Sequence, residues 1–258
     1  MTENGAIKMQ EYYRFADVPF RIGSHYDYVR EQCADYRIGE PPDGVASDCD
    51  FQITKEDIDY ERAVSAETDR AEGRKPFEYG DDRLESMAVC RKVAEALAGR
   101  DTVLFHGSAL ALDGEVYLFA APSGTGKSTH ARLWREVFGE RVVMVNDDKP
   151  LIRLLEGRPF VYGTPWNGKH RLGANIRRPL KAICLLRRGD KNKIEPIGFQ
   201  EAVPALLRQT YQPHDGRKLS ESLTTLEKTA QNAALYRLFC NMEKEAAEVA
   251  YEGMKETL

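Results

Sequence analysis

The segment Ala121-Pro122-Ser123-Gly124-Thr125-Gly126-Lys127-Ser128 constrains the fold more than any other part of this 258-residue chain. It fits the Walker A pattern except at its first position, where alanine replaces glycine. Glycines in such a loop let successive backbone N–H groups turn inward as a nest for an anion. The pattern also demands that a buried strand run into the loop and a helix leave it. The apolar run Val116–Ala120 leads in, and a helix is expected from about Lys127 to Phe138, with Gly139 to end it. A nucleoside triphosphate, ATP or GTP, is therefore expected on Ser123, Gly124, Thr125, Gly126, Lys127, Ser128 and Thr129. The positive end of the helix adds to the anion site. Lys127 is the residue to reach the β- and γ-phosphates, and the Ser128 hydroxyl the one to ligate Mg2+.

A second strand, Val142–Val145, runs into Asn146-Asp147-Asp148-Lys149-Pro150. Two acids at the end of a buried strand beside a phosphate loop permit two jobs. One carboxylate can hold magnesium, and the other can accept the proton of an attacking hydroxyl. Taken alone the same residues would read as a solvated turn. Before the loop, the runs Ser108–Leu112 and Glu115–Ala120 flank Asp113-Gly114, a pair suited to a two-residue hairpin turn. His106 stands just ahead of that hairpin.

His-Gly, a hairpin, a strand, Ser-Gly-Thr-Gly-Lys-Ser, a helix and a strand ending in Asp-Asp form an order that resembles the HPr kinase/phosphorylase family. It is more distantly similar to the ATP-dependent phosphoenolpyruvate carboxykinases. The similarity spans roughly residues 103–186. It implies a mixed-sheet P-loop kinase core of α/β (α+β) class and an ATP- and Mg2+-dependent transfer of a γ-phosphoryl group. It also implies that Asp147 is the base, that Asp148 is the magnesium partner, that His106 supports them, and that the chain forms a homo-oligomer. Three departures set the chain apart. Asn146 replaces the family's usual alanine, the Glu-x-Arg-Gly-like segment is missing, and residues 1–100 match nothing in the family. The acceptor is accordingly expected to be a hydroxyl of a peptide or protein serine, or of a small molecule, rather than HPr itself.

In place of the missing segment stands Gly163-Thr164-Pro165-Trp166-Asn167-Gly168-Lys169-His170-Arg171. Cations on a loop near a phosphate site can clamp the transferring group, and Lys169 and Arg171, beside Gly168, are the residues expected to do so. An ordinary basic surface loop with Trp166 packed in the core is the equally weighted alternative. His130 and His214 are read as structural.

Elsewhere the pattern sets out the architecture. Residues 1–80 carry short β-type runs at Tyr12–Phe15, Val18–Ile22, Tyr36–Ile38 and Asp50–Thr54, with a turn-prone stretch over Glu67–Lys75, and are expected to form a small β-rich lobe. Residues 81–258 are expected to hold the nucleotide-binding core. They open with a helix over Asp81–Ala98, continue through strands near Thr102–Phe105, Leu151–Leu155, Phe160–Tyr162 and Lys181–Leu186, and turn mainly helical from Phe199. A net charge of −4 gives no footprint for a nucleic-acid partner. No apolar run reaches the roughly 18 residues of a membrane span, and the polar first ten residues do not read as a secretory signal. Five scattered cysteines at no metal-ligand spacing read as reduced, packed thiols, so a cytoplasmic protein is expected. Two other functions stay open at this stage: a nucleotide-sensing module without transfer, and carboxykinase-like chemistry.

Overall fold

The computed structural model describes residues 9–71, 73–168 and 170–256. The chain is of mixed α/β class and divides into two compact units, Met1–Ala96 and Leu97–Leu258.

In the first unit, β1 (Met9–Phe15) and β2 (Val18–Ser24) form an antiparallel hairpin, followed by α1 (Asp27–Gln32), β3 (Arg37–Ile38) and β4 (Asp50–Gln52). The sheet order is β3-β1-β2-β4. Glu85 on a later helix is fully buried, yet its carboxylate accepts from the backbone N–H groups of His25 (2.5 Å) and Tyr26 (3.0 Å). It thereby serves the donors at the start of α1 that no side chain of that segment caps. Helices α2 (Lys55–Ala71) and α3 (Asp81–Ala98) follow. The turn-prone reading of Glu67–Lys75 is corrected here, because α2 continues to Ala71. Its charges hide it in the sequence, since several are spent on ion pairs with α3. Arg91 bonds Glu61 at 2.6 Å and Asp57 at 3.0 Å, and Lys92 bonds Asp57 at 2.9 Å.

The second unit holds β5 (Thr102–Leu104), β6 (Ser108–Leu112), β7 (Glu115–Ala120), α4 (Lys127–Phe138), β8 (Val142–Asn146), β9 (Leu151–Leu155) and β10 (Arg158–Tyr162). Then come β11 (Arg177–Arg188), β12 (Lys193–Pro196), α5 (Phe199–Gln209), α6 (Gly216–Gln231), β13 (Ala234–Cys240) and α7 (Glu245–Lys255). The expected hairpin is present. Leu112 pairs with Glu115 across Asp113 and Gly114, whose φ angles of 53° and 89° suit a turn matching the strand twist. β7 lies between two different neighbours: β6 antiparallel on one side and β11 parallel on the other. β11 is long enough to serve two sets of partners. Its first residues, Arg177–Pro179, pair with β10, and from Ala182 onward it pairs with both β7 and β13.

β13 is missed by the helical reading of the C-terminal part. It pairs with β11 on one edge and β12 on the other, and buries Leu235, Tyr236 and Leu238. Leu235 enters the core shared with α5, and Tyr236 and Leu238 the core shared with α4 and α7, so both faces are apolar and the period-2 signal is blurred.

Alternation along β7 builds two cores. Val116, Leu118 and Ala120 face one, shared with Ala202 and Leu206 of α5. Tyr117, Phe119 and Ala121 face the other, shared with Ala131 and Trp134 of α4 and with α7. The fully buried Trp134 donates its indole N–H to His130 Nε2 at 3.0 Å. That bond leaves the His130 proton on Nδ1, which is buried without a partner. His130 is thus structural, and burial pushes its pKa down to about 3.

The sign of that shift yields a prediction. The unfolded chain protonates His130 near pH 6.5 and the folded one near 3, so its contribution to stability is complete above 6.5 and declines as pH falls between the two. His130→Gln, which keeps an acceptor for Trp134, should flatten the fall in unfolding free energy between pH 6.5 and 4.5 by about 1.4 kcal/mol per pH unit. Denaturant unfolding at several pH values checks this, and an unchanged slope would refute it.

Candidate active site at the phosphate loop

The loop expected to cradle phosphates leaves the end of β7 and enters α4 directly. Gly124 and Gly126 have φ of 73° and 124°. An added Cβ at either would meet nothing within 4 Å, so backbone conformation, not space, requires glycine there. Gly126 is the N-cap of α4 and contributes no side-chain cap. The first-turn N–H groups, including those of Ser128 and Thr129, thus receive no side-chain cap from that residue. Lys127 Nζ donates to the carbonyl of Ala121 at 2.7 Å and so lies folded back across its own loop. Burial pushes its pKa below the ordinary lysine value, while Asp148 acts to raise it.

Asp148 sits among cations. One oxygen lies 3.3 Å from His106 Nε2 and the other 2.7 Å from Lys149 Nζ. Burial alone would raise its pKa, but Lys149, His106 and Lys127 together hold it below the usual carboxylate range. His106 is brought here by backbone pairing. Its N–H donates to the Gln209 carbonyl at 2.6 Å, and the Gly107 N–H to the Asp148 carbonyl at 3.0 Å. Gly107 has no room for a side chain, since a Cβ would stand 2.9 Å from the Phe119 carbonyl oxygen.

Asp147 takes a different partner: its Oδ1 accepts from the Gly168 N–H at 2.6 Å. The Gly163–Arg171 loop thus reaches the acidic pair through its backbone. A Cβ on Gly168 would lie 2.8 Å from Asp147 Oδ2, so glycine permits this close approach. Arg171 is exposed, with its N–H on the Gly168 carbonyl at 3.1 Å. Lys169 lies outside the described residues. Trp166 is buried, as the structural alternative for this loop expects.

The structure therefore gathers Lys127, His106 and Asp148, places Asp147 beside Gly168, and leaves Ser128 exposed in the first turn of α4. Three further residues carry the site. Asn146, fully buried, accepts from the N–H groups of Asp148 (2.8 Å) and Lys149 (2.7 Å) and donates to Thr164 Oγ1 (2.9 Å). It locks the acidic turn to the following loop. Lys149 balances Asp148. Arg188, at the end of β11, donates to the Gly124 carbonyl at 2.6 Å. The sequence signal for Asn146 is an Asx-type residue opening the turn Asn-Asp-Asp-Lys. For Arg188 the signal is a charged pair ending an apolar strand.

Among the described residues no group of three or more His, Cys, Asp or Glu could hold a metal ion. A divalent ion placed here would take few protein ligands and complete its shell with phosphate oxygens and water, as magnesium does. No described helix is long and apolar enough to cross a membrane. The described cysteines are free thiols, four of them buried.

No family model matches the sequence. No curated protein matches it either. Among solved structures, the HPr(Ser) kinase/phosphatase from Coxiella burnetii is similar at 9% identity and a TM-score of 0.33, the match covering 58% of this chain and 95% of that one. A likeness so distant carries no function across.

Removing the Asn146 amide strands the Asp148 and Lys149 N–H donors, while the Thr164 hydroxyl keeps its bond to the Lys149 carbonyl. Asn146→Ala should cost about 2–4 kcal/mol of unfolding free energy, an amount set by the buried groups left unpaired. Denaturant titration reads it, and a loss below about 0.5 kcal/mol would remove Asn146 from this role.

Proposed function

We propose that the protein is an ATP- and Mg2+-dependent phosphotransferase that moves the γ-phosphoryl group to a hydroxyl of a peptide or protein serine, or of a small molecule. The observation that carries this reading is the meeting of Lys127, at the uncapped start of α4, with Asp148 and His106. A module that only bound nucleotide would need a single carboxylate for its metal. Here Asp147 is held beside the same turn by the Gly168 N–H, with a partner separate from those of Asp148.

The division of labour follows from the surroundings. Asp148, held anionic by Lys149, His106 and Lys127, suits metal binding together with the Ser128 hydroxyl. Magnesium, when bound, offsets charge on the β- and γ-phosphate oxygens. Gly124 and Gly126 give the loop the backbone freedom to point N–H groups at phosphate oxygens. Lys127 exchanges the Ala121 carbonyl for phosphate, a charge-assisted bond stronger than the neutral one it leaves. The acceptor oxygen forms its bond to the γ-phosphorus as the bond to the bridging oxygen breaks. The hydroxyl proton passes to Asp147, and the nucleoside diphosphate carries away the electron pair. His106 holds the Asp148 carboxylate in place.

Lys127→Ala should lose Mg2+-dependent ATP binding, measured by titration with a fluorescent ATP analogue. Asp147→Asn should bind ATP within about threefold of the parent while transfer from γ-labelled ATP to acceptors in a cell extract falls about 10²–10⁴-fold. Full transfer by Asp147→Asn would overturn the base assignment. Tight ATP binding by the parent with no labelled acceptor would favour the sensing module instead.

A further inference from the structure

Beyond the acidic pair, a second cluster stands at the root of the phosphate loop, on the face away from α4. The β7–β11 register sets it up. Leu185 pairs with Ala120, so the next residues of β11 continue beside Ala121 and Pro122. Successive residues of a strand face opposite sides. Leu185 belongs to the core shared with α5, whereas Leu186 belongs to the core shared with α4. Arg187 therefore shares the α5 face, where Arg208 and Gln209 end that helix.

Arg187, Arg208 and Gln209 line one small cavity together with Ala121 and Pro122. Its volume of about 20 Å³ is enough for one water or one oxygen-sized group. Both arginines are exposed. Among the described residues neither has a carboxylate within ion-pair distance, whereas Lys149 and Arg237 each find one. Two arginines that line one cavity without a carboxylate partner suit an anion between them. Gln209 Oε1, buried and without a hydrogen-bond partner, lines the same cavity. It is a buried acceptor in need of a donor. The Gln209 main chain ties this cluster to the acidic pair, since its carbonyl takes the N–H of His106.

We propose that Arg187, Arg208 and Gln209 form an acceptor subsite, and that the phosphoryl acceptor is an acid: a small hydroxy compound carrying a carboxylate or phosphate group. The oxyanion lies between the two arginines, and an O–H or N–H of the same molecule satisfies Gln209 Oε1. This rests on the phosphotransferase reading for the name acceptor, but the anion subsite stands or falls by itself.

The test starts from Lys127→Ala protein, in which the phosphate loop's own anion site is crippled. Inorganic phosphate and glycerate are titrated separately, followed by calorimetry and by the phosphorus resonance of the phosphate. Both should bind, and adding Arg187→Ala with Arg208→Ala should weaken them at least tenfold. Arg187→Lys with Arg208→Lys should recover part of the loss. Gln209→Glu should weaken binding comparably by repulsion while leaving both arginines and the helix intact. Unchanged anion binding after arginine removal would overturn the proposal, as would absence of binding in Lys127→Ala alone. In the otherwise native protein, Arg187→Ala with Arg208→Ala should bind Mg·ATP within twofold of the parent. A tenfold loss there would assign the pair to the nucleotide and overturn it equally. With γ-labelled ATP, glycerate and glycerol phosphate should be phosphorylated at least tenfold faster than glycerol, a preference that the double arginine variant abolishes. An equal rate for glycerol would count against the subsite. Anion binding that meets these expectations in a protein showing no transfer at all would sink only the phosphotransferase reading.

Discussion

β7 is hydrogen-bonded on both edges to strands of opposite sense, and the rest of the second unit is arranged around that fact. With β11 parallel on one side, the C-terminal ends of two strands emerge together, so the phosphate loop and Arg187–Arg188 come out side by side. With β6 antiparallel on the other, the start of β6 lies against the end of β7, and His106 is delivered to the same rim. A sheet wholly parallel about β7 would send the preceding strand's start to the far end. The hairpin turn at Asp113-Gly114 thus decides, from the opposite edge of the sheet, which residues meet the phosphate loop.

The strand ends provide only a platform, and the acidic turn reaches its position through buried hydrogen bonds. Asn146 spends its side-chain oxygen on two consecutive N–H groups and its amide on Thr164. A side chain with both a donor and two acceptor positions is needed for that double task, which alanine cannot perform. The loop that follows then approaches closely enough for the Gly168 N–H to meet Asp147, and a Cβ at Gly168 would press on that carboxylate at 2.8 Å. Orientation of the Asp147 carboxylate is therefore set by a main-chain donor, and that of Asp148 by the side chains of His106 and Lys149.

Much of this was legible in the sequence where local rules dominate. The strand-loop-helix order at Ala121–Ser128, the hairpin and the strand β8 leading into Asp147–Asp148 all follow from short-range pattern, and each stands at its expected place. The acidic pair's neighbours were less legible. Asn146 stands out in the sequence as an Asx residue opening a turn, but its bond to Thr164 is hidden because the partner is 18 residues away. Arg187, Arg208 and Gln209 come together through the register of β11 against β7 and the packing of α5, which no local pattern encodes. α2 was hidden by charges that look solvated until α3 supplies Arg91 and Lys92. β13 was hidden by being apolar on both faces.

The ion pair between Lys149 and Asp148 bears on any cation that comes to this carboxylate. The position is already held by a +1 charge on a tether, so arrival of a divalent ion is an exchange rather than an addition. The ammonium swings out to water or onto a neighbouring anion, and the local charge rises by one unit instead of two. Such a place-holder keeps the carboxylate ionised and oriented in the absence of another cation. It also sets a threshold, since only a cation accompanied by further negative charge, such as one carried in on phosphates, profits fully from displacing it.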